Sequence, residues 1–422
     1  MPARIIQLYR DSFSGLHRNS WLLASVQLVN RAGTMVVPFM SMYLTQHHGV
    51  SMTKAGFVLA CFGMGSIAGS LLGGRLADRY GFYRIMVLTL FLGGLSFIAL
   101  SFIQSYWWIC FGTFVMAVIN EAFRPASMAA ISAYSAPESL TRSGSLVRLS
   151  VNLGWAFGAA VGGWIAAHNY QLLFWVDGIT NLSAAGLVLL ALPRVEPARA
   201  HTKEKERDSN SISPFRDHFF LRFVLLNCLF GICFFQLFTT LPVYLKAELA
   251  LGETAIGWVM AINGLLIAAF EMVAVFSLEH IRKLKLIAAG TFVTGLAFVV
   301  FNVLPLPALQ LALISSVILT AGEILAMPFL LSYTMSRSTP ATIGQYASLY
   351  TMSYSVAHVL GSYSGGAVAD RLGFSVLWWS VGGLSTIVAL TYYRMHKVEA
   401  RYPPERYAPR PASTSKYQAG AA

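Results

Sequence analysis

The sequence predicts an all-α membrane protein, with twelve transmembrane helices in two pseudo-symmetric six-helix bundles. Three observations lead there. The 422 residues are 56% hydrophobic and only 11% charged, with a mean hydropathy of +0.60, whereas a soluble domain carries about 25% charged residues. The apolar residues fall into runs of about 20, the length at which a helix crosses a bilayer. The second half of the chain repeats the first. No globular core can hide this much apolar surface. In a bilayer each backbone N–H must be bonded within its own segment, which selects helices. The runs are too continuous for the alternating strands of a membrane barrel.

In chain order the spans cover 21–44, 54–76, 83–103, 107–131, 144–167, 170–192, 218–246, 254–277, 283–303, 307–334, 343–367 and 374–394. Before them, residues 1–20 (MPARIIQLYRDSFSGLHRNS) are polar and mildly basic and lack a cleavage site, so the first span is expected to be retained. Residues 193–217 are charged and contain Ser and Pro, the composition of a solvated linker. The spans therefore group into bundles 21–192 and 218–395, and the segment 396–422 reads as a disordered tail.

Lys and Arg orient the chain. Arg4, Arg10, Arg18, Arg79, Arg84, Arg142, the linker, the stretch HIRKLK (280–285) and the tail fall on one side if the spans alternate. The opposite loops, QSY, HNYQ and LPLP, are almost uncharged, with Lys54, Lys246 and Arg371 as exceptions. The positive-inside rule places the basic side and both termini in the cytoplasm, in the cell (inner) membrane. The net charge of +12 then reflects basic loops rather than nucleic-acid binding. Cys61, Cys110, Cys228 and Cys233 lie in apolar runs without metal-ligand spacing and read as small buried hydrophobes. His47 and His48 read as solvated loop histidines, so no metal is expected. There is no phosphate-binding loop and no catalytic constellation, so neither an enzyme nor a bound cofactor is expected.

Shifting the chain by 203 residues aligns Pro125 with Pro328, Pro137 with Pro340, Ser145-Leu146 with Ser348-Leu349, and Gly158, Gly162 and Gly163 with Gly361, Gly365 and Gly366. A shift of 201 aligns the starts of the halves, Asp78 meeting Glu279. Two parallel repeats of this kind pack about an axis along the membrane normal, with the substrate site near the midplane between them. Gly65, Gly69 and Gly73, spaced by four, read as a surface for close helix packing.

Residues 74–84, GRLADRYGFYR, resemble the loop between the second and third helices of the major facilitator superfamily, whose pattern is roughly G-x-L-A-D-R-x-G-R-K. Gly74, Leu76, Ala77, Asp78, Arg79 and Gly81 match; Phe82 and Tyr83 stand where basic residues are common, and Arg84 follows them. The resemblance covers about 20–395 and implies that Gly74, Asp78, Arg79, Gly81 and Arg84 form a cytoplasmic latch. An aspartate there can accept hydrogen bonds from a helix N-terminus. Residues 152–163, NLGWAFGAAVGG, resemble the antiporter motif G-x-x-x-G-P-x-x-G-G, with Ala159 in place of the proline. The chain is most similar to the drug/proton antiporter branch, with its multidrug and dipeptide exporters. It lacks the E-x-x-E-R-F pattern of proton-coupled peptide importers, although Asn30-Arg31 resembles part of it. Carriers of this fold commonly act as monomers, and a monomer is expected.

Charges inside spans cost roughly 2.5–3.5 kcal/mol each on insertion scales, so their presence points to function. Arg31, Glu121 and Glu323 fall near mid-depth, and Glu121 and Arg124 have the i, i+3 spacing of a pair on one helix face. Glu323 aligns with Asn120, beside Glu121, so both halves carry a carboxylate at nearly the same place. A carboxylate in a dry cavity exchanges a proton near neutral pH. Glu323, Glu121 and Glu271 are therefore the candidate proton-coupling groups. Asp177 and Arg148 are further charges in spans six and five. Arg31, Asn30, Arg124, Asn152, Asn227, Gln236, Asn263, Tyr350, Tyr354 and His358 are the candidate substrate surface, the last three sharing one face of span eleven. The expected function is proton-gradient-driven export of small amphipathic solutes or drugs by alternating access. An importer of peptides, amino acids or another metabolite, and a membrane ligand sensor that does not transport, remain open alternatives.

Overall fold

The computed structural model describes residues 16–135, 140–194, 213–278, 280–338 and 342–399. The expected N-terminal segment to residue 15, most of the linker, the tail from 400, and the repeat positions Pro137, Glu279 and Pro340 lie outside the described residues. Among the described residues there are sixteen α-helices and no strand. They are α1 (Arg18–Ala32), α2 (Val36–Met42), α3 (Met52–Tyr80), α4 (Phe82–Ser101), α5 (Tyr106–Glu121), α6 (Phe123–Tyr134), α7 (Leu140–His168) and α8 (Tyr170–Ala191). After these come α9 (His218–Phe234), α10 (Gln236–Thr239), α11 (Leu241–Ala247), α12 (Glu253–Leu278), α13 (Lys283–Val303), α14 (Ala308–Arg337), α15 (Ile343–Leu372) and α16 (Phe374–Val398). Ten helical segments among the described residues are long and apolar enough to cross a membrane. The two other long stretches are Arg18–His47, which is interrupted, and α15.

Three expected spans are broken, and proline explains each break. A proline has no N–H to donate four residues back, and its ring crowds that carbonyl. Pro38 opposes Thr34, and α1 stops at Ala32. Pro125 opposes Glu121, where α5 ends. Pro242 opposes Phe238, and the chain turns at Phe235 and Thr240. Pro328 lies inside α14, which continues through it. These are spans one and four and their counterparts seven and ten in the half-to-half repeat.

The freed amides of span one find an unusual partner. Asp177 on α8, fully buried, accepts from the Met35 N–H (3.0 Å) and the Val36 N–H (2.9 Å). Its carboxylate thus caps α2 from a neighbouring helix, where the helix dipole favours an anion. In the second half, Gln236 does the corresponding work. It donates to the carbonyls of Ile232 (2.9 Å) and Gly361 (3.0 Å) and accepts from the Thr240 hydroxyl (2.9 Å).

Gly65, Gly69 and Gly73 face Phe114, Val118 and Ala122, so the close-packing surface their spacing predicts seats α3 on α5. Helices α1–α8 pack mainly with one another, as do α9–α16. Two antiparallel pairs, α3 with α15 and α7 with α12, join the two sets. Counting crossings puts Arg18 and Val398 on one face, hereafter the inner face. Large apolar side chains stay uncovered around the girth, among them Leu190 (90% exposed), Phe276 (73%) and Trp107 (71%). A bilayer covers such a belt.

Candidate functional site

The break after Glu121 decides where its side chain goes. Glu121 and Arg124 form no ion pair with each other; Arg124 is exposed while Glu121 is half-buried. This corrects the i, i+3 expectation. Glu121 instead lines a partly open cavity of about 50 Å³ in the first half, together with Asn30, Arg31, Thr34, Asn120 and Asn181. That volume has room for a few waters. Arg31 lies within electrostatic range of both Glu121 and Arg124, and its Nε is buried with no hydrogen-bond partner among the described residues. Asn30 donates to Asn181 (2.9 Å), which donates to the Asp177 carbonyl (2.8 Å).

In the second half, Glu323 is 5% exposed. Asn263 on α12 donates to its Oε1 (2.9 Å) and lies equally close to the Thr320 hydroxyl (2.9 Å). No cation pairs with Glu323 among the described residues. Each half therefore sets a carboxylate among amides, the half-buried Glu121 near an arginine and the buried Glu323 without one.

Between the halves, Arg148 of α7 forms an ion pair with Glu271 of α12. Glu271 thus has a fixed cation, unlike Glu323. Tyr350 lies within electrostatic range of Arg124 and Arg148, and both arginines are exposed. Tyr350 and Tyr354 meet edge to face at 5.3 Å. His358 stacks on Phe235 (4.3 Å) and meets Phe62 of the other half edge-on (5.6 Å). Trp155 and Phe238 also touch across the halves, at 5.5 Å. Asn152 is half-buried on α7. Asn227 is fully buried and donates to Ser353 (2.6 Å), so with Gln236 it braces the fold instead of facing an open space.

The outer ends of the halves are closed. Lys246 pairs with Glu253 (2.9 Å), which also accepts from the Tyr170 hydroxyl (3.0 Å) of the other half. Lys54 lies over the Tyr106 ring (5.7 Å), so two of the basic residues on the uncharged side have local partners. His48 bonds to the Tyr43 hydroxyl (2.9 Å). Burial, and then the neighbouring His47, hold its imidazole below the ordinary range, which favours the neutral ring. No group of three or more His, Cys, Asp or Glu able to hold a metal occurs among the described residues. At the inner face Asp78, Arg79 and Arg84 are exposed, and Asp78 makes no hydrogen bond or ion pair with described residues. Gly74 has open space around it, and Gly81 has φ +87°. A further bridge ties the inner face of the second half. Arg337 donates to both oxygens of Asp217 (2.8 and 3.0 Å), and Tyr346 donates to one of them (3.2 Å).

Sequence reasoning missed the cap by Asp177, the Arg148–Glu271 pair and the Asp217–Arg337 bridge as roles. The only signal for Asp177 was a lone carboxylate in an apolar run, opposite a helix with a proline-induced break.

The sequence profile of the Major Facilitator Superfamily matches residues 23–362 and 244–419. The chain is 23% identical to the multidrug resistance protein MdtH of Proteus mirabilis over 381 residues, 89% of this chain and 93% of the relative. It is 24% identical to a Na(+), Li(+), K(+)/H(+) antiporter of Planococcus maritimus over 375 residues, 80% of this chain and 86% of the relative. Among solved structures it resembles a mutant of the nucleoside transporter NupG, with a TM-score of 0.77 and 14% identity over 90% of this chain and 100% of that one.

Proposed function

The chain belongs to the major facilitator superfamily, and on that premise we propose that this multi-pass transporter is a proton-coupled exporter of small amphipathic solutes. It works by alternating access. Bundles 21–192 and 218–395, joined by the linker 193–217, rock against each other about a site near the midplane. The basic inner face lies in the cytoplasm, with both termini, and the membrane is the inner membrane. The proton gradient supplies the energy. The partners are the solute, protons and the surrounding lipid, and a single chain suffices.

One observation carries the proposal: Glu323 is buried, bonded by Asn263, and has no cation beside it among the described residues. A buried carboxylate without a counter-charge sheds the cost of that charge by taking a proton. Binding and release of that proton can therefore be tied to which face the site opens toward. Glu121 beside Arg31 is the second candidate, because solute binding or motion of α6 changes that local charge balance. Glu271 ranks third, since Arg148 neutralises it in this conformation. Export is favoured by the similarity to MdtH, named for multidrug resistance.

A second reading has its own observation. Arg124 and Arg148 are exposed around Tyr350, which favours a solute with a carboxylate and so an importer of peptides or amino acids.

Purified protein in liposomes containing a pH-sensitive dye tests both. A pH gradient is imposed, and cationic drugs, dipeptides and amino acids are added in turn. Exchange of protons for a cationic amphipath supports the exporter. Proton movement along with dipeptides or amino acids selects the second reading. Folded protein that moves no protons with any compound would count against proton coupling.

A further inference from the structure

The ten residues ending span two, GGRLADRYGF (73–82), recur at the end of span eleven as GGAVADRLGF (365–374), with seven identical positions. The backbone repeats as well. Gly81 and Gly373 have φ of +87° and +84°, a region that favours glycine. Each donates its N–H to the alanine four residues back, Ala77 (2.9 Å) or Ala369 (3.1 Å), and each begins the next helix.

Helices α3 and α15 lie side by side and run in opposite directions, so the two copies sit at opposite membrane faces. A side chain at Gly56 would strike the Ser362 carbonyl, and one at Gly63 would strike Val359, so the close contacts lie toward the outer half. At the outer end Asp370 accepts from the Met52 N–H (2.9 Å) and the Thr53 N–H (2.6 Å), the first two amides of α3. These amides have no partner within their own helix, and the helix dipole favours the carboxylate there. At the inner end Asp78 is exposed and unbonded among the described residues.

We infer that Asp370 is an outer-face latch of the transport cycle, closed here on the N-terminus of α3 and released when the outer ends part. The inference rests on the alternating-access reading. At the outer end the aspartate near the C-terminus of α15 bonds the N-terminus of α3, and at the inner end Asp78 holds the matching position near the C-terminus of α3. Rocking about the contacts near Gly56 and Gly63 opens one end as it closes the other. The closed Asp370 and the free Asp78 are the two ends of one lever.

Hydrogen–deuterium exchange of the full chain in lipid nanodiscs reads both ends at once. In Asp370→Asn, exchange over 52–58 and 362–370 should rise about tenfold while exchange over 74–84 and 343–348 falls. Asp370→Glu keeps the carboxylate and should restore part of the wild-type pattern, and Asp78→Asn should not reproduce the Asp370→Asn shift. A rise confined to 52–54, with the inner end unchanged, would make Asp370 a simple helix cap and overturn the latch. Unchanged exchange at both ends would overturn it as well. Solute flux of the wild-type protein is measured separately in liposomes, so loss of the latch and loss of the carrier reading give different results.

Discussion

Gly257→Ala should open the outer end. An added Cβ on α12 would lie 2.5 Å from the Ala159 carbonyl oxygen and 2.8 Å from the Gly163 Cα on α7. Ordinary contact begins at 3.4 Å, so the shortfall is 3.4 − 2.5 = 0.9 Å, and it is against backbone that cannot rotate away. Overpacking of this size costs about 1–3 kcal/mol. On the alternating-access reading, an outward-open state parts these helices and escapes that cost. The equilibrium between the two states should then shift by about 5- to 150-fold. Gly163→Ala is the twin, since its Cβ would lie 2.6 Å from the Glu253 carbonyl oxygen. Gly186→Ala, with nothing within 4 Å, is the control. The assay is hydrogen exchange over 159–166 and 253–260, with thermal unfolding run alongside. Increased outer exchange with near-native unfolding supports the reasoning. Wild-type exchange in both Gly257→Ala and Gly163→Ala would show that this seam does not hold the outer end shut.

Asp177→Ala leaves the Val36 amide unbonded, while the Met35 N–H keeps the Gly33 carbonyl (3.0 Å), and should lower stability by about 1–3 kcal/mol; unchanged thermal unfolding in detergent would contradict the cap. Asp177→Asn keeps one acceptor and should lose less. Arg337→Met strands the buried Asp217 and should cost about 3–5 kcal/mol, with partial recovery when Asp217→Asn is added; an additive double variant would count against the pairing. Arg148→Gln leaves the buried Glu271 without its cation and should cost more than the roughly 1 kcal/mol of an exposed pair; wild-type unfolding would show that Glu271 does not depend on Arg148.

The all-helical membrane outline was legible because hydropathy over about 20 residues is a strong signal, and ten of the expected spans are long apolar helices among the described residues. That Gly65, Gly69 and Gly73 form a close-packing surface was legible because glycines at a spacing of four have one common use in membranes; that α5 is the helix seated there was not. The breaks at Pro38, Pro125 and Pro242 were present in the sequence but need the rule that a proline disturbs the residue four before it. Without it, Glu121 and Arg124 looked like neighbours on one helix. Asp177 was less legible, since its partners are backbone amides, which every sequence has. Arg148 and Glu271 meet across the two halves, and no local pattern encodes such a pair. The recurrence of ADR-x-G at Asp370 was readable, but it pairs span two with span eleven and so falls outside the half-to-half register.

The most direct test of the account is solute-driven proton movement in liposomes, with Glu323→Gln beside wild type. A solute gradient imposed across wild-type vesicles should drive protons. Glu323→Gln, which keeps the shape and the bond to Asn263, should still exchange labelled for unlabelled solute but move no protons. Proton movement at the wild-type rate in Glu323→Gln would contradict the central claim and pass the coupling role to Glu121.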